Sequence, residues 1–291
     1  MPKSEPLPIA LTSPPFDRYR NVRWLAPERS GHEAHDHGRH LLFAARERDN
    51  PVSVLIKVTS RPGLIYEQDL DNEQRSLATI NRERPDSPYF PFVHAHGRLP
   101  DSRRFLITSL FDEFPLATVI GSEPEPSRLV RNLRIGLEIA KALDVIHALG
   151  IFHVDLNPMN VLYRIGTTPP IIRIVDFESS YERRRHAAGT PYSPPTTAGY
   201  SAPDVARQPP DARADLYSLG SVLYTLMAGY RWAAGVDVRT RVESEASLDD
   251  ELKQVLGRAV EAEPARRFAN AGAFAEALGA YLERIWPGRA W

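Results

Sequence analysis

Three oxygen-bearing side chains stand where chemistry could use them. Asp155 and Asn160 lie in the stretch HVDLNPMN, residues 153–160, and Asp176 follows further along the chain. Asn160 immediately precedes VLYRI, and Asp176 immediately follows IIRIV. These two β-rich apolar runs are joined by a Gly/Pro turn, the signature of a hairpin. Residues equidistant from a turn face each other across antiparallel strands. Asn160 and Asp176 are both eight positions from residue 168, so the hairpin is expected to set them side by side. Asp155 lies just ahead, in the loop that feeds the first strand. Hard divalent cations, Mg²⁺ above all, take oxygen ligands from one or two carboxylates, with nucleotide phosphates completing the shell. Asn160 and Asp176 suit that task, which leaves Asp155 to orient or deprotonate a substrate hydroxyl. Any one of the three alone reads as an ordinary loop or turn residue. Their convergence at one end of a hairpin argues for a site.

The elements that must position them fall into two textures. Between residues 20 and 60 the runs NVRWLAP, HLLFAAR and VSVLIKV are short, apolar and β-rich. A polar helix candidate, YEQDLDNEQRSLATINRE, follows, and then two more strand-like runs, FVHAHGRL and RRFLITSLF. After GSEPEPSRL the pattern becomes helical. LRIGLEIAKALDVIHALG carries apolar residues at 135, 139, 143 and 146, one helix face, and Gly150 provides the stop. Residues 211–285 are largely helical in pattern. The expected architecture is α+β and two-lobed: a Pro-rich flexible tail over 1–18, a small β-rich lobe with one helix over 19–115, and a larger, mainly helical lobe over 116–291. Ligands favour the crevice between such lobes.

Composition narrows the function classes. The 291 residues include no cysteine, which excludes disulfides, thiolate catalysis and Cys-ligated zinc. A formal net charge of −1 gives no global field for nucleic acid or a membrane surface, so neither is expected as a partner. The longest apolar stretch, LYSLGSVLYTLMAGY (216–230), is too short to span a bilayer and is flanked by Asp215 and Arg231. It reads as a buried core helix. The N-terminus lacks the apolar run of a signal peptide, and a cytoplasmic location is expected. Of 36 Lys and Arg residues only four are Lys, so each Lys in an apolar context invites a functional reading. The excess of Arg over Lys also points to a GC-rich genome.

With these residues in place, the sequence resembles the protein kinase superfamily, and most closely its bacterial Ser/Thr branch. HVDLNPMNVL is similar to the family's catalytic loop, opened by His153, with Asp155 in the base position and Asn160 in a metal position. VDFESS resembles the metal-binding DFG segment, which would place Asp176 on Mg²⁺ and Phe177 behind it. VLIKV resembles the strand bearing the phosphate-gripping lysine, here Lys57, with Glu73 of LDNEQRSL as its ion-pair partner. Leu77, one helical turn on, would face inward towards Phe177. Adenine would be held by the backbone near Ser109, Leu110 and Phe111. TTAGYSAPD is similar to the segment that closes the activation loop, with Thr197 and Asp204 at the family's Thr and Glu positions. Asp215 would anchor the catalytic-loop backbone, and Arg267 would pair with Asp204. The resemblance implies ATP and Mg²⁺, with Mn²⁺ as a substitute, and transfer to Ser or Thr hydroxyls of an unidentified protein.

Four departures accompany the resemblance. The Arg usual before the catalytic Asp, which receives an activation-loop phosphate, is Val154. The usual Lys two residues after it is Asn157, an amide where a cation would assist the transferring phosphate. Charge-assisted hydrogen bonds are about twice as strong as neutral ones, so a loss of rate is implied. DFG has become DFE, where Glu178 would restrict backbone freedom and add a carboxylate. The glycine-rich loop is reduced to RSGHEAHDHG, with Gly31 and Gly38. Its His32, His35 and His37, with His40 beyond, match no standard zinc spacing and read as a solvated loop. The Arg run of ERRRHAAGTPYSPPTT (182–197) offers either a solvated loop or a site for acidic groups, and Thr190, Tyr192, Ser193 and Thr196 carry hydroxyls open to autophosphorylation. Two alternatives remain beside the protein kinase: a small-molecule kinase, favoured by Glu178 and Asn157, and a non-catalytic pseudokinase scaffold, favoured by Val154, Asn157 and the poor loop.

Overall fold

The computed structural model describes residues 11, 14–25, 39–120, 126–164, 166–195, 197–229 and 237–288. The chain divides into two compact units, Met1–Asp112 and Glu113–Trp291. The second begins three residues before the change in sequence texture indicates, because Phe114–Pro115 pairs with a strand of that unit.

The described part of the first unit holds an antiparallel sheet and an α-helix. Its strands are β1 (Tyr19–Trp24), β2 (His40–Glu47), β3 (Ser53–Thr59), β4 (Val93–Arg98) and β5 (Arg104–Ser109), ordered β1-β2-β3-β5-β4. Alternation along the strands separates two faces. Leu41, Phe43, Ala45, Val54, Ile56, Val58, Phe105 and Ile107 fill one apolar layer. Leu11 and Phe16 join that layer, so part of the segment read as a flexible tail is core. Two large apolar side chains among the prolines account for this, since burying them removes their surface from water. The rest of the expected tail, residues 1–10 and 12–13, lies outside the described residues. So does the RSGHEAHDHG loop except for its neighbour His40, which is buried at the start of β2.

The other face of β3 carries Lys57, opposite Leu42 on β2 and Leu106 on β5. The long helix of this unit, α1 (Leu64–Glu83), turns Leu70, Glu73, Leu77 and Ile80 inward, a spacing that marks a single helix face. Asn81 ties the end of α1 to the sheet, donating to Pro91 O and accepting from Val93 N–H.

The second unit opens with β6 (Phe114–Pro115) and α2 (Pro126–Ala148). Ile135, Ile139, Leu143 and Ile146 of α2 are fully buried, as their periodicity requires. After Gly150 (φ +73°) come β7 (Ile151–Phe152), β8 (Val161–Arg164) and β9 (Ile171–Ile174). Next are β10 (Tyr181–Glu182), which pairs with β7, and the one-turn helix α3 (Arg183–Ala187). Helices α4 (Ala212–Ala228), α5 (Val238–Ser244), α6 (Asp250–Ala259) and α7 (Ala271–Ile285) complete it. The apolar stretch from 216 is indeed a core helix: α4 buries every residue from Ala214 to Leu226. Asp211 caps its first turn and Gly229, in the left-handed region at φ +77°, ends it. No helix among the described residues is long and apolar enough to cross a membrane.

Candidate active site

The hairpin β8–β9 forms where the sequence places it, with a register one residue from the expected one. Val161 faces Ile174, and Asn160 faces Val175, whose N–H bonds Asn160 O at 2.9 Å. The six-residue connection from Arg164 to Ile171 centres the turn between 167 and 168, which the sequence could not fix. Asp176 therefore stands one residue beyond Asn160's partner.

Asp155 is held from several sides. Thr197 donates its hydroxyl to Asp155 Oδ1 at 2.5 Å. Asn160 Nδ2 reaches the Asp155 backbone oxygen at 2.9 Å and approaches Oδ2 at 3.4 Å. Asn157 also turns inward: its Nδ2 donates to Asp155 O, and its Oδ1 accepts from Met159 N–H. Asn157 is thus a brace within the loop, with both ends of its amide engaged by backbone atoms. Burial pushes the Asp155 carboxyl above the ordinary carboxylate range; the Thr197 hydrogen bond opposes this, and the nearby negative charge of Asp176 adds to it. A carboxylate whose basicity is raised is a better proton acceptor near neutral pH.

Beneath the loop, the fully buried carboxylate of Asp215 on α4 accepts three hydrogen bonds. His153 N–H and His147 Nε2 meet Oδ2 at 2.9 and 2.8 Å, and Val154 N–H meets Oδ1 at 2.7 Å. This grip holds Val154 at φ +66°, an unfavourable conformation for a β-branched residue. Asp176 is likewise at φ +67°. His153, fully buried, donates from Nε2 to Val175 O at 3.0 Å and packs edge-on against the buried ring of Phe177 at 4.9 Å. One histidine thereby joins the segment of Asp155 to the segment of Asp176. Glu178, partly buried, follows Phe177.

Helix α4 also places Thr197. Ser218 and Ser221 donate to Tyr200 O and Gly199 O, and Ser201 Oγ accepts from Thr197 N–H. Further on, Arg267 forms a buried pair with Asp204 at 2.5 Å and directs its remaining donors to the backbone oxygens of Arg213, Glu261 and Ala262. The expected Arg267–Asp204 and Asp215 contacts are both present.

In the first unit Lys57 Nζ lies 2.7 Å from Glu73 Oε2, with the two side chains 9% and 2% exposed. Leu77 is fully buried on the same helix face. Ser109 and Leu110 commit their backbone N–H groups within the unit, to Phe92 O and Ser53 O. Thr190 and Ser193 are exposed, whereas Thr196 lies outside the described residues.

Sequence reading missed several members of this arrangement. His147 had a signal, a polar residue in the last turn of an otherwise apolar face. The inward amide of Asn157 and the serines of α4 had none, because their partners are backbone atoms distant in sequence.

A family model described as protein kinase domain matches residues 101–275, and the chain belongs to that family. Serine/threonine-protein kinase PknJ of Mycobacterium tuberculosis is 28% identical over 262 residues, covering 84% of this chain and 44% of that protein. Ribosomal protein S6 kinase alpha-2 of Homo sapiens is 34% identical over 146 residues, 44% of this chain and 20% of that protein. The chain thus spans less than half the length of these curated relatives. The crystal structure of the Mycobacterium tuberculosis PknI kinase domain shares the fold, with a TM-score of 0.59 at 23% identity over 83% of this chain and 91% of that one.

Proposed function

We propose that the chain transfers the γ-phosphoryl group of ATP to Ser or Thr hydroxyls of proteins. The observation that carries this reading is Asp155, a partly buried carboxylate fixed through Thr197 and Asn160. In this reading Asp155 orients the acceptor hydroxyl and accepts its proton, and Lys57, itself held by Glu73, steadies the phosphates. Catalysis then comes from positioning and electrostatics, with no covalent intermediate on the protein.

The donor set fits a hard divalent cation. Asn160 turns its Nδ2 to Asp155, which leaves the amide oxygen as the end that can meet a cation, and Asp176 contributes a carboxylate. Mg²⁺, or Mn²⁺ in its place, would be held by Asn160 and Asp176 and would neutralise phosphate charge.

The inward amide of Asn157 favours a second reading, a nucleotide-binding scaffold that turns over slowly or not at all, since no cation stands at that position. Incorporation of label from [γ-³²P]ATP into casein and into the protein itself, with Mg²⁺ or Mn²⁺, separates the readings. Label in the wild type and none in Asp155→Asn supports the kinase. Nucleotide binding without label in either protein supports the scaffold, and label on a soluble alcohol alone would make the chain a small-molecule kinase.

A further inference from the structure

We propose that Tyr192 is a positioning residue whose ring, packed with His186 on Tyr181, braces the segment 181–197 against the strand that leads into Asp155. The proposal rests on the kinase reading above for its effect on catalysis, and on packing alone for the brace itself.

Both ends of the segment are fastened to the same short stretch. At one end Tyr181 and Glu182 pair with Phe152 and Ile151, and Arg183 N–H bonds Gly150 O. At the other, Thr197 bonds Asp155. The middle is poorly equipped to hold itself: Pro191, Pro194 and Pro195 lack backbone donors, and Gly189 sits at φ +98°. What crosses it is aromatic. Tyr181 and His186 stack at 4.6 Å and 18°, and Tyr192 meets both edge-on, at 5.1 and 5.4 Å. Tyr181 in turn stacks over Phe152 at 6.4 Å, and Phe152 lies 5.5 Å from His147, a ligand of the Asp215 carboxylate. Offset and edge-to-face rings of this kind attract beyond their burial. A line of rings thus runs from the middle of the segment to the carboxylate that holds the catalytic loop.

The ring, and not the hydroxyl, is the active part. Tyr192 Oη is buried and forms no hydrogen bond among the described residues. Burial pushes this phenol far above its ordinary range, with the charges of Asp215 and Asp155 adding to the shift, so it stays neutral. A buried, unpaired hydroxyl stabilises nothing. Phenylalanine should therefore replace tyrosine here, and alanine should not.

The test uses the full chain as wild type, Tyr192→Phe and Tyr192→Ala, with amide hydrogen exchange read by mass spectrometry and steady-state kinetics on ATP and casein. Expected for Tyr192→Ala is exchange faster by on the order of tenfold across 183–195, from the lost ring contacts, with α2 unchanged. KM for casein should rise severalfold while KM for ATP holds, and Tyr192→Phe should restore both readouts. Unchanged exchange in Tyr192→Ala, or a Phe variant as loose as the Ala variant, would overturn the brace. Loosened exchange with an unmoved KM for casein would overturn the positioning role. A wild type that transfers no phosphate would sink the kinase reading and the positioning role with it, and exchange alone would then decide the brace.

Discussion

Replacing Lys57 with methionine should destabilise the first unit through the carboxylate it leaves behind. Lys57 Nζ and Glu73 Oε2 are 2.7 Å apart, and their side chains are 9% and 2% exposed. At an effective dielectric of about 20, unit charges at that separation attract by about 6 kcal/mol. Desolvation of the two ions offsets much of this, so the pair itself adds little net stability. Breaking it is a different matter. In Lys57→Met the lysine's cation is lost while Glu73 stays on the inward face of α1 with Leu70, Leu77 and Ile80. Removal of one partner of a buried pair costs about 3–5 kcal/mol, a large part of a typical domain's stability. Methionine keeps the length and apolar stem of lysine, so little of the loss is packing. In Lys57→Met/Glu73→Met both charges are gone, and most of the stability should return. Urea denaturation followed by fluorescence and by circular dichroism gives the four corners of the cycle, with both probes required to coincide. A Lys57→Met protein within about 1 kcal/mol of wild type, or a double variant no more stable than the single, would refute this account of Glu73.

Four substitutions in the second unit carry further expected outcomes. Asp155→Asn should lower phosphoryl transfer by on the order of 10²–10⁴-fold in the labelling assay. It should be at least as stable as wild type at neutral pH: a raised carboxyl pKa means ionisation opposes folding, a cost absent below the ordinary carboxylate range that grows as pH rises through the folded value. Thr197→Val removes the hydrogen bond that counters the burial of Asp155, so the acid limb of kcat/KM should move to higher pH. Gly220→Ala should cost about 1–3 kcal/mol, because its new Cβ would lie 2.7 Å from Ala259 Cβ. Gly257→Ala, with nothing within 4 Å, should stabilise α6 by up to about 1 kcal/mol, and thermal melts of the two glycine variants beside wild type read both effects.

Legibility divides along physical lines. The strands of the first unit and the face of α2 were readable because burial imposes periods of 2 and 3.6 on apolar residues, and nothing competes with that signal in Val54-Ile56-Val58 or Ile135-Ile139-Leu143. Asp155, Asn160, Asp176, Lys57 and Glu73 were readable as types in order. The one-residue slip at Asn160 shows the limit: register depends on how a six-residue connection closes, and no side chain in it announces that. Leu11 and Phe16 were hidden by the prolines around them, whose local message is an extended chain, while the core layer exerts its pull through residues far along the sequence.

The departures from the family pattern then sort by what the fold does with them. Val154 replaces a charged residue but is buried, and its strained backbone is fixed by the Asp215 carboxylate that also holds His153 and His147. The loop keeps its shape because its anchor is a backbone N–H, which every residue but proline supplies. Asn157 is different, since the side chain that would face the phosphate is folded back onto Asp155 O and Met159 N–H. That change braces the backbone beside Asp155 and removes a charge, so it bears on the loop's stability through the two hydrogen bonds and on rate through the charge. Asn157→Lys should accordingly raise kcat if the kinase reading holds, while giving up two hydrogen bonds within the loop. An equal kcat in that variant, with its fold intact, would show that the transferring phosphate finds its positive charge elsewhere.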